Sequence, residues 1–249
     1  MSNGFFDYDA YYKKVSPVYD DIRLDSESDF SMTIKMILKN IRQDTVNILD
    51  IGCGTGRYGQ ALVQRGYNVE GIDKSSSQIE QAKKIIKARQ GNVVDLPYLD
   101  DRFDTCIMIM MIHHLTAKER EVAFDEIFRV LKEKGVLIIK TASHEDLKYR
   151  ISSRFFPEAL DIDLNRYPNI DILKNELSKF EKIQMQKTIS VSSFNKNEMV
   201  RKLAMRRTSN LGMLSEDALR KGIARFEDAY QNQEIIQKEN HNTFIIAQK

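Results

Sequence analysis

The chain has 249 residues, 42% hydrophobic and 30% charged, a balance that excludes a disordered, collagenous or coiled-coil protein. Its 38 lysines and arginines against 36 aspartates and glutamates give a formal charge of +2, too small for a whole-molecule field that attracts nucleic acid or anionic membranes. Cys53 and Cys106 offer neither a disulfide framework nor metal-ligand spacing, and no secretory signal opens the chain, so we expect a cytoplasmic protein without a metal.

Apolar runs bounded by glycine and aspartate alternate with amphipathic stretches up to residue 142, which is typical of strand-helix-strand units and a parallel sheet. We predict strands at residues 46–51, 68–72, 88–91, 103–112 and 135–141. We predict helices at 28–41, 58–65, 75–87 and 118–131. The longest apolar run, 106–112, is far shorter than the ~20 residues of a membrane-spanning helix, so no membrane partner is expected.

The pattern changes after residue 143. Pro157 and Pro168 indicate an irregular stretch, which precedes a short helix at 172–177 and an alternating strand at 182–191. Two polar helices at 195–207 and 215–231 then lead to a last strand at 242–248. The whole pattern predicts an α/β fold with a doubly wound, Rossmann-like, seven-stranded sheet, a terminal antiparallel strand and a helical lid insertion.

A glycine-rich turn joins the first strand to the following helix. Asp50 lies at the end of the strand, and Gly52, Gly54 and Gly56 follow at alternate positions. Glycines at this spacing let backbone amides approach a ligand across the carboxyl ends of parallel strands. Residues 54–59 also match the GxGxxG pattern of dinucleotide-binding proteins, but that pattern alone is weak evidence.

Three acidic residues favour a ligand other than a dinucleotide. Asp50 stands where a pyrophosphate would be repelled and a cationic group attracted. Asp73 closes the next strand, where an acid accepts hydrogen bonds from ribose hydroxyls. Asp95, in the loop 91–97, is placed to accept a hydrogen bond from an adenine amino group. These residues indicate an adenosine-containing ligand that also carries a cationic group.

Over about residues 11–143 the chain resembles the class I S-adenosylmethionine-dependent methyltransferases. The segments that carry the resemblance are 50–56, 71–73, 91–97, 103–104, 113–115 and 129–135. The resemblance implies S-adenosylmethionine as cofactor and S-adenosylhomocysteine as product. It implies that the cofactor contacts Asp50, Gly52, Cys53, Gly54, Gly56, Asp73, Lys74, Gln78, Asp95, Leu96, Met110 and Met111.

The same resemblance implies a role for each part of this set. The glycines line the methionine part, and Asp73 binds the ribose. Asp95 and the backbone of Leu96 read the adenine. The two methionines border the sulfonium. In the family an N-terminal segment often covers the cofactor, and here its candidates are Tyr12, Tyr19 and Arg23, of which the arginine is suited to pair with the methionine carboxylate.

His113 and His114 at the end of the fourth strand are the candidate catalytic residues. Two interpretations stay open for them. Either they are buried residues that fix the end of the strand, or one of them is a general base near the sulfonium, because an ordinary histidine pKa of ~6.5 is close to working pH.

We therefore expect a single methyltransferase domain over residues 1–249, with a helical cover at 1–45, a cofactor-binding core at 46–143 and an acceptor-side half at 144–249. The helical insertion occupies about 193–233. The expected reaction is in-line attack by a nitrogen, oxygen or sulfur atom of a small-molecule metabolite or natural-product precursor on the sulfonium methyl.

Three alternatives remain. A tRNA nucleoside is the second choice of acceptor, because residues 112–120 resemble tRNA wobble-uridine methyltransferases and residues 196–225 hold eight basic against three acidic residues. A nucleic-acid partner is not favoured, because this stretch lacks interleaved aromatic residues. A non-catalytic adenosine-ligand-binding partner protein and a dinucleotide oxidoreductase are the others. The oligomeric state stays open.

Overall fold

The computed structural model describes residues 11, 13, 26–206 and 208–249. Its strands are β1 Asn47–Ile51, β2 Asn68–Asp73, β3 Lys87–Gln90, β4 Phe103–Ile109, β5 Leu131–Thr141, β6 Glu181–Asn195 and β7 Ile235–Gln248. They form one sheet in the order β3-β2-β1-β4-β5-β7-β6. Strands β1 to β5 run parallel, and β7 is antiparallel to both β5 and β6. The predicted doubly wound, seven-stranded sheet is confirmed.

Helices surround the sheet and fill the connections between its strands. They are α1 Glu27–Asn40, α2 Arg57–Val63, α3 Ser76–Ala82, α4 Ala117–Val130, α5 His144–Leu147, α6 Ile151–Phe155, α7 Pro157–Arg166, α8 Ile170–Glu176, α9 Lys196–Ala204, α10 Ser209–Gly212 and α11 Glu216–Ala229. Ser75 caps α3, because its side chain accepts a hydrogen bond from the Gln78 backbone N–H. None of the helices in the described ranges is long and apolar enough to cross a membrane.

Alternate residues of the central strands pack into two separate cores. On one face, Leu49 and Cys106 join side chains of α4 and α8. On the other face, Ile48 and Ile107 join side chains of α1 and α2. This alternation is what a parallel sheet covered by helices on both faces requires. A third cluster, centred on the fully buried Phe226, joins α6 and α7 to the helices α9 to α11 between β6 and β7.

The structure corrects three sequence predictions. The strand predicted at 103–112 ends at Ile109, because Met110 has a positive φ of 52° and the following residues form a 3-10 turn, Ile112–His114. The stretch around Pro157 is not irregular, because proline fits the first turn of α7. Strands β6 and β7 extend far beyond 182–191 and 242–248, since their polar ends pair with each other from Asn195 opposite Ile235.

A buried ion pair joins α1 to the sheet. The Lys140 Nζ on β5 lies 2.7 Å from Asp29 Oδ2 on α1, and the two side chains are only 2% and 6% exposed. Thr33 Oγ1 accepts a second hydrogen bond from this ammonium at 2.9 Å. Asn242 of β7 donates to the other carboxylate oxygen at 2.8 Å. The polar cluster therefore ties three elements together close to the carboxyl ends of the strands.

We expect the substitution Lys140→Ala to lower the free energy of unfolding by about 3–5 kcal/mol, because it leaves the Asp29 carboxylate buried without its cation. Urea denaturation measures the change. Lys179→Ala is the control, because its ion pair with Asp125 is more than half exposed on both sides and contributes little. Equal stability of the two variants would contradict the prediction.

Candidate functional site

The loop between β1 and α2 folds through three glycines with left-handed backbone. The φ angles of Gly52, Gly54 and Gly56 are 68°, 55° and 87°. The N–H groups of Gly52 and Cys53 donate to the Ile72 carbonyl at 2.8 and 3.1 Å. The sequence folds in this way because residues with a Cβ rarely adopt these angles. The loop is therefore fixed to the carboxyl end of β2.

Asp73, the last residue of β2, connects this loop to the start of α3. Its Oδ2 accepts a hydrogen bond from the Gly54 N–H at 3.0 Å, and its Oδ1 accepts one from the Ser75 N–H at 2.9 Å. A carboxylate has about four lone-pair sites, more than these two hydrogen bonds use. Asp73 thus holds two loops and presents an acceptor to the space between them.

The first cavity lies across the carboxyl ends of β1, β2 and β4. Ten of the residues predicted from the sequence line it: Asp50, Gly52, Cys53, Gly54, Asp73, Lys74, Gln78, Met110, Met111 and His114. Eleven further residues line the cavity and are not among the predicted site residues; those with polar or aromatic side chains are Arg57, Tyr58, Ser75, Asn92 and Glu119. Most of them follow the glycine turn or the end of a strand, and these positions could have indicated from the sequence that they line the cavity.

The structure does not bring every predicted residue to this cavity. Gly56 precedes α2 and does not line the cavity; its left-handed φ and the 3.1 Å that would separate a Cβ from Ile86 both favour glycine there. Asp95 is exposed, and the Leu96 N–H already donates to Glu126 Oε2 at 2.7 Å. Neither residue lines the cavity, and their expected adenine contacts stay a prediction.

Tyr12, Tyr19 and Arg23 lie outside the described residues. Their assignment to the cover of the cofactor stays a prediction.

The residues around the first cavity fit an adenosine ligand with an amino-acid tail. Gln78 is 2% exposed, and its buried Oε1 has no hydrogen-bond partner among the described residues, so it can accept from a ligand. A Cβ on Gly52 would lie 2.5 Å from Met111 Cγ, which shows that the backbone approaches this wall as closely as a glycine permits. Burial raises the pKa of the Cys53 thiol, which makes it an inert wall residue.

A strained residue marks the point where the first cavity meets a second one. Met110 ends β4 with its positive φ, and its N–H donates to the Lys140 carbonyl at 2.9 Å. Strained backbone of this kind persists only where the surrounding structure holds it. Met110 and His114 line both cavities. A ligand in one cavity can therefore meet a ligand in the other at these two side chains.

The second cavity lies between the strand ends and the helices that follow β5. Its polar lining includes Lys140, Arg150, Tyr167 and Asn210. Arg150 Nη1 donates to Asp163 Oδ2 and to the Tyr167 hydroxyl, both at 3.1 Å. Asn210 Nδ2 of α10 donates to the same Asp163 oxygen at 2.8 Å. This network fixes the position of the Arg150 side chain on the cavity wall.

The two histidines are neighbours, but they differ in which cavities they line. His113 is 9% exposed and lies between His114 and Tyr167, with ring centroids 4.2 Å apart on each side. Its ring stacks on Tyr167 and is tilted by 37° against His114. Burial, and secondarily Arg166, lowers the pKa of His114 to about 3. Burial also lowers the pKa of His113 well below its ordinary value. Both rings are therefore neutral at physiological pH, and His114 alone reaches the first cavity.

We expect the stability of the ligand-free protein to fall as the pH drops from about 7.5 to about 5.5. In the unfolded chain a histidine is protonated near pH 6.5, whereas folded His114 is protonated only near pH 3. The unfolded state thus binds more protons over this range, which favours unfolding by about 1.4 kcal/mol per histidine. Urea denaturation at both pH values measures the loss, and His114→Asn should reduce it by that amount. An unchanged loss in the variant would refute the assignment.

Comparisons with known proteins agree with this geometry. A sequence model described as "Methyltransferase domain" matches residues 49–139. An uncharacterized methyltransferase of Oceanobacillus iheyensis is 26% identical over 194 residues, which are 72% of this chain and 90% of that protein. The probable tRNA methyltransferase 9B of Homo sapiens is 31% identical over 130 residues, which are 51% of this chain and 27% of that protein. The chain therefore spans most of the bacterial relative and about a quarter of the human one.

A solved structure shows the same fold. It is a putative methyltransferase from an antibiotic biosynthesis pathway of Anabaena variabilis, with a TM-score of 0.70 at 18% identity. The match covers 87% of this chain and 96% of that chain. The likeness therefore extends well beyond residues 49–139, into the part of the chain that forms the second cavity.

Proposed function

Because the chain belongs to the class I S-adenosylmethionine-dependent methyltransferases, we propose that it methylates a nitrogen, oxygen or sulfur atom of a small-molecule metabolite or natural-product precursor. The observation that carries this proposal is the meeting of two cavities at Met110 and His114. The first cavity carries the residues that suit the cofactor. The second is a separate space for an acceptor.

Residues of the first cavity would hold the cofactor. Asp73 would accept hydrogen bonds from the ribose hydroxyls, and the glycine loop would line the methionine part. Gln78 offers its buried Oε1 as an acceptor. In place of Asp95 and Leu96, we assign the adenine edge to Asn92 and Val93, which line the cavity. Bound S-adenosylmethionine supplies a sulfonium-activated methyl group, which an acceptor lone pair displaces to leave S-adenosylhomocysteine.

The protein would act mainly by alignment and by exclusion of water. In-line attack needs the acceptor atom close to the methyl carbon, and positioning of this kind accounts for much of the rate of such reactions. Met110 and His114 border the meeting point. Because the pKa of His114 is lowered to about 3, its neutral ring is a weak base, and we assign it contact with the acceptor rather than removal of a proton.

The basic stretch at 196–225 favours a small acceptor over RNA. Four of its basic side chains form ion pairs with acidic side chains of the same stretch. The ion pairs are Lys202–Glu198 at 2.8 Å, Arg206–Glu216 at 2.6 Å, Arg220–Asp217 at 2.8 Å and Lys221–Asp217 at 2.6 Å. Paired cations contribute less to phosphate binding than unpaired ones do. The similarity to the human probable tRNA methyltransferase keeps a tRNA nucleoside as the second candidate acceptor.

A labelling experiment separates these acceptors. The protein is incubated with methyl-labelled S-adenosylmethionine and either a low-molecular-mass metabolite fraction or bulk tRNA from the same cells. The proposal predicts label in the metabolite fraction only, and none with the Asp73→Ala variant. Label in tRNA would establish the second candidate. Tight S-adenosylhomocysteine binding with no labelled product from either pool would instead indicate a non-catalytic binding protein.

A further inference from the structure

We propose that the acceptor carries a carboxylate, which binds the Nε and Nη2 edge of Arg150 in the second cavity, and that methylation takes place at the opposite end of the acceptor. This inference rests on the proposed function and narrows its substrate class. It also assigns Arg150 as the residue that selects the acceptor.

Arg150 is held in place from one side only. Its Nη1 makes both of its hydrogen bonds, to Asp163 and to the Tyr167 hydroxyl. Its guanidinium carbon lies 4.8 Å from the centroid of the Tyr167 ring. The Nε and Nη2 groups make no hydrogen bond to any described residue, although the side chain is only 24% exposed and lines the cavity. A residue of the cavity wall thus keeps one edge of its guanidinium without a hydrogen bond from the described part of the chain.

The chemistry of that edge selects a planar oxyanion. The Nε–H and one Nη2–H point in parallel, and a carboxylate accepts both in a two-point contact that an uncharged amide cannot reproduce. The negative charge of Asp163 is shared among several groups and does not neutralise Arg150 alone. Asp163 also accepts a hydrogen bond from Asn210 at 2.8 Å and lies 3.9 Å from Arg166 Nη1. A partly buried guanidinium with an open edge gains most from a ligand that brings its own negative charge.

A row of three neighbouring rings leads from Arg150 to the meeting point of the cavities. Tyr167 stacks on His113 with centroids 4.2 Å apart, and His113 lies 4.2 Å from His114. His114 lines both cavities, whereas Arg150 lines only the second. Because these steps separate Arg150 from the first cavity, a carboxylate bound there cannot also reach the methyl group. The acceptor must therefore present a second, nucleophilic atom at its other end.

The acceptor cavity is completed by the insertion between β6 and β7. Asn210 and Ser209 of α10 line it, and Arg166 Nη1 donates to Ser209 Oγ at 3.1 Å. The network that orients Arg150 is thus anchored on the insertion as well as on α7. An acceptor acid would contact both parts of the chain, so the insertion takes part in acceptor selection.

Calorimetry on protein saturated with S-adenosylhomocysteine tests this inference. The probes are acetate and benzoate, their neutral analogues acetamide and benzamide, and phenyl phosphate. We expect the carboxylates to bind at least about tenfold more tightly than the matching amides and more tightly than the phosphate. Arg150→Gln should remove the preference for the acids. Arg150→Lys should restore it only in part, because the charge is kept but the two-point edge is lost.

Arg154→Gln is the matched control, because Arg154 is an exposed arginine of the neighbouring α6 and should not affect the probes. Unchanged S-adenosylhomocysteine binding shows that each variant is folded with an intact first cavity. Equal binding of acids and amides, a preference for phosphate, carboxylate binding that survives Arg150→Gln, or no carboxylate binding at all would each overturn the inference. A wild-type protein that does not bind S-adenosylhomocysteine would overturn the proposed function itself.

Discussion

Replacement of Asp73 by alanine should weaken the binding of S-adenosylhomocysteine about a hundredfold, which corresponds to ~2.7 kcal/mol. The substitution removes the acceptor proposed for the ribose hydroxyls, and hydrogen bonds to a charged group contribute about 1.5–3 kcal/mol. It also leaves the Gly54 and Ser75 N–H groups without the carboxylate that holds them at 3.0 and 2.9 Å. Isothermal titration calorimetry measures the dissociation constant.

Two variants control the Asp73 prediction. Asp73→Asn keeps one carbonyl oxygen at the same place and should give an intermediate affinity. Asp44→Ala removes a carboxylate that is 68% exposed and pairs with Arg42. Asp44 precedes β1, at the opposite end of that strand from the loops, so the variant should bind like the wild type. An Asp73→Ala protein within threefold of wild-type affinity would contradict the assignment of the ribose site.

Gly52→Ala should abolish measurable S-adenosylhomocysteine binding and destabilise the fold. A Cβ on Gly52 would lie 2.5 Å from Met111 Cγ and 3.0 Å from Met111 Cβ, so the loop or the wall of the cavity must move. The φ of 68° adds about 1–2 kcal/mol of backbone strain for a residue with a Cβ, and the overlap adds about 1–3 kcal/mol. Calorimetry and urea denaturation measure both effects.

Gly66→Ala is a matched control for this change. Gly66 also has a positive φ, 90°, but a Cβ there would meet nothing within 4 Å. It should therefore show the backbone strain alone, with cofactor binding unchanged. If the two alanine variants lost the same stability and both bound the cofactor, the close approach of the loop to Met111 would have no functional role.

Much of the lining of the first cavity could be predicted from the sequence, because its residues form short local patterns. Gly52 and Gly54 lie just after β1, Asp73 is the last residue of β2, and the carboxyl ends of parallel strands share one edge of the sheet. Asp95 and Leu96 show the limit of this reasoning. Their loop reaches the cavity through Asn92 and Val93. The Leu96 N–H donates instead to Glu126, 30 residues away in sequence, which no local pattern indicates.

No local sequence pattern predicts the residues that line the second cavity. Arg150, Asp163 and Asn210 meet only because α7 packs against the insertion, and 47 residues separate Asp163 from Asn210. Pro157 and Pro168 led to the prediction of an irregular stretch, whereas Pro157 begins the helix α7. The polar ends of β6 and β7 were missed because two strands that pair mainly with each other need no continuous apolar face.

The most direct test of the account is a crystal structure of the protein with S-adenosylhomocysteine. We expect the ribose hydroxyls on Asp73 and the sulfur beside Met110 and His114, facing the cavity that Arg150 lines. A ligand bound with its sulfur turned away from that cavity, or bound outside the loop between β1 and α2, would contradict the claim that the two cavities meet at the point of methyl transfer.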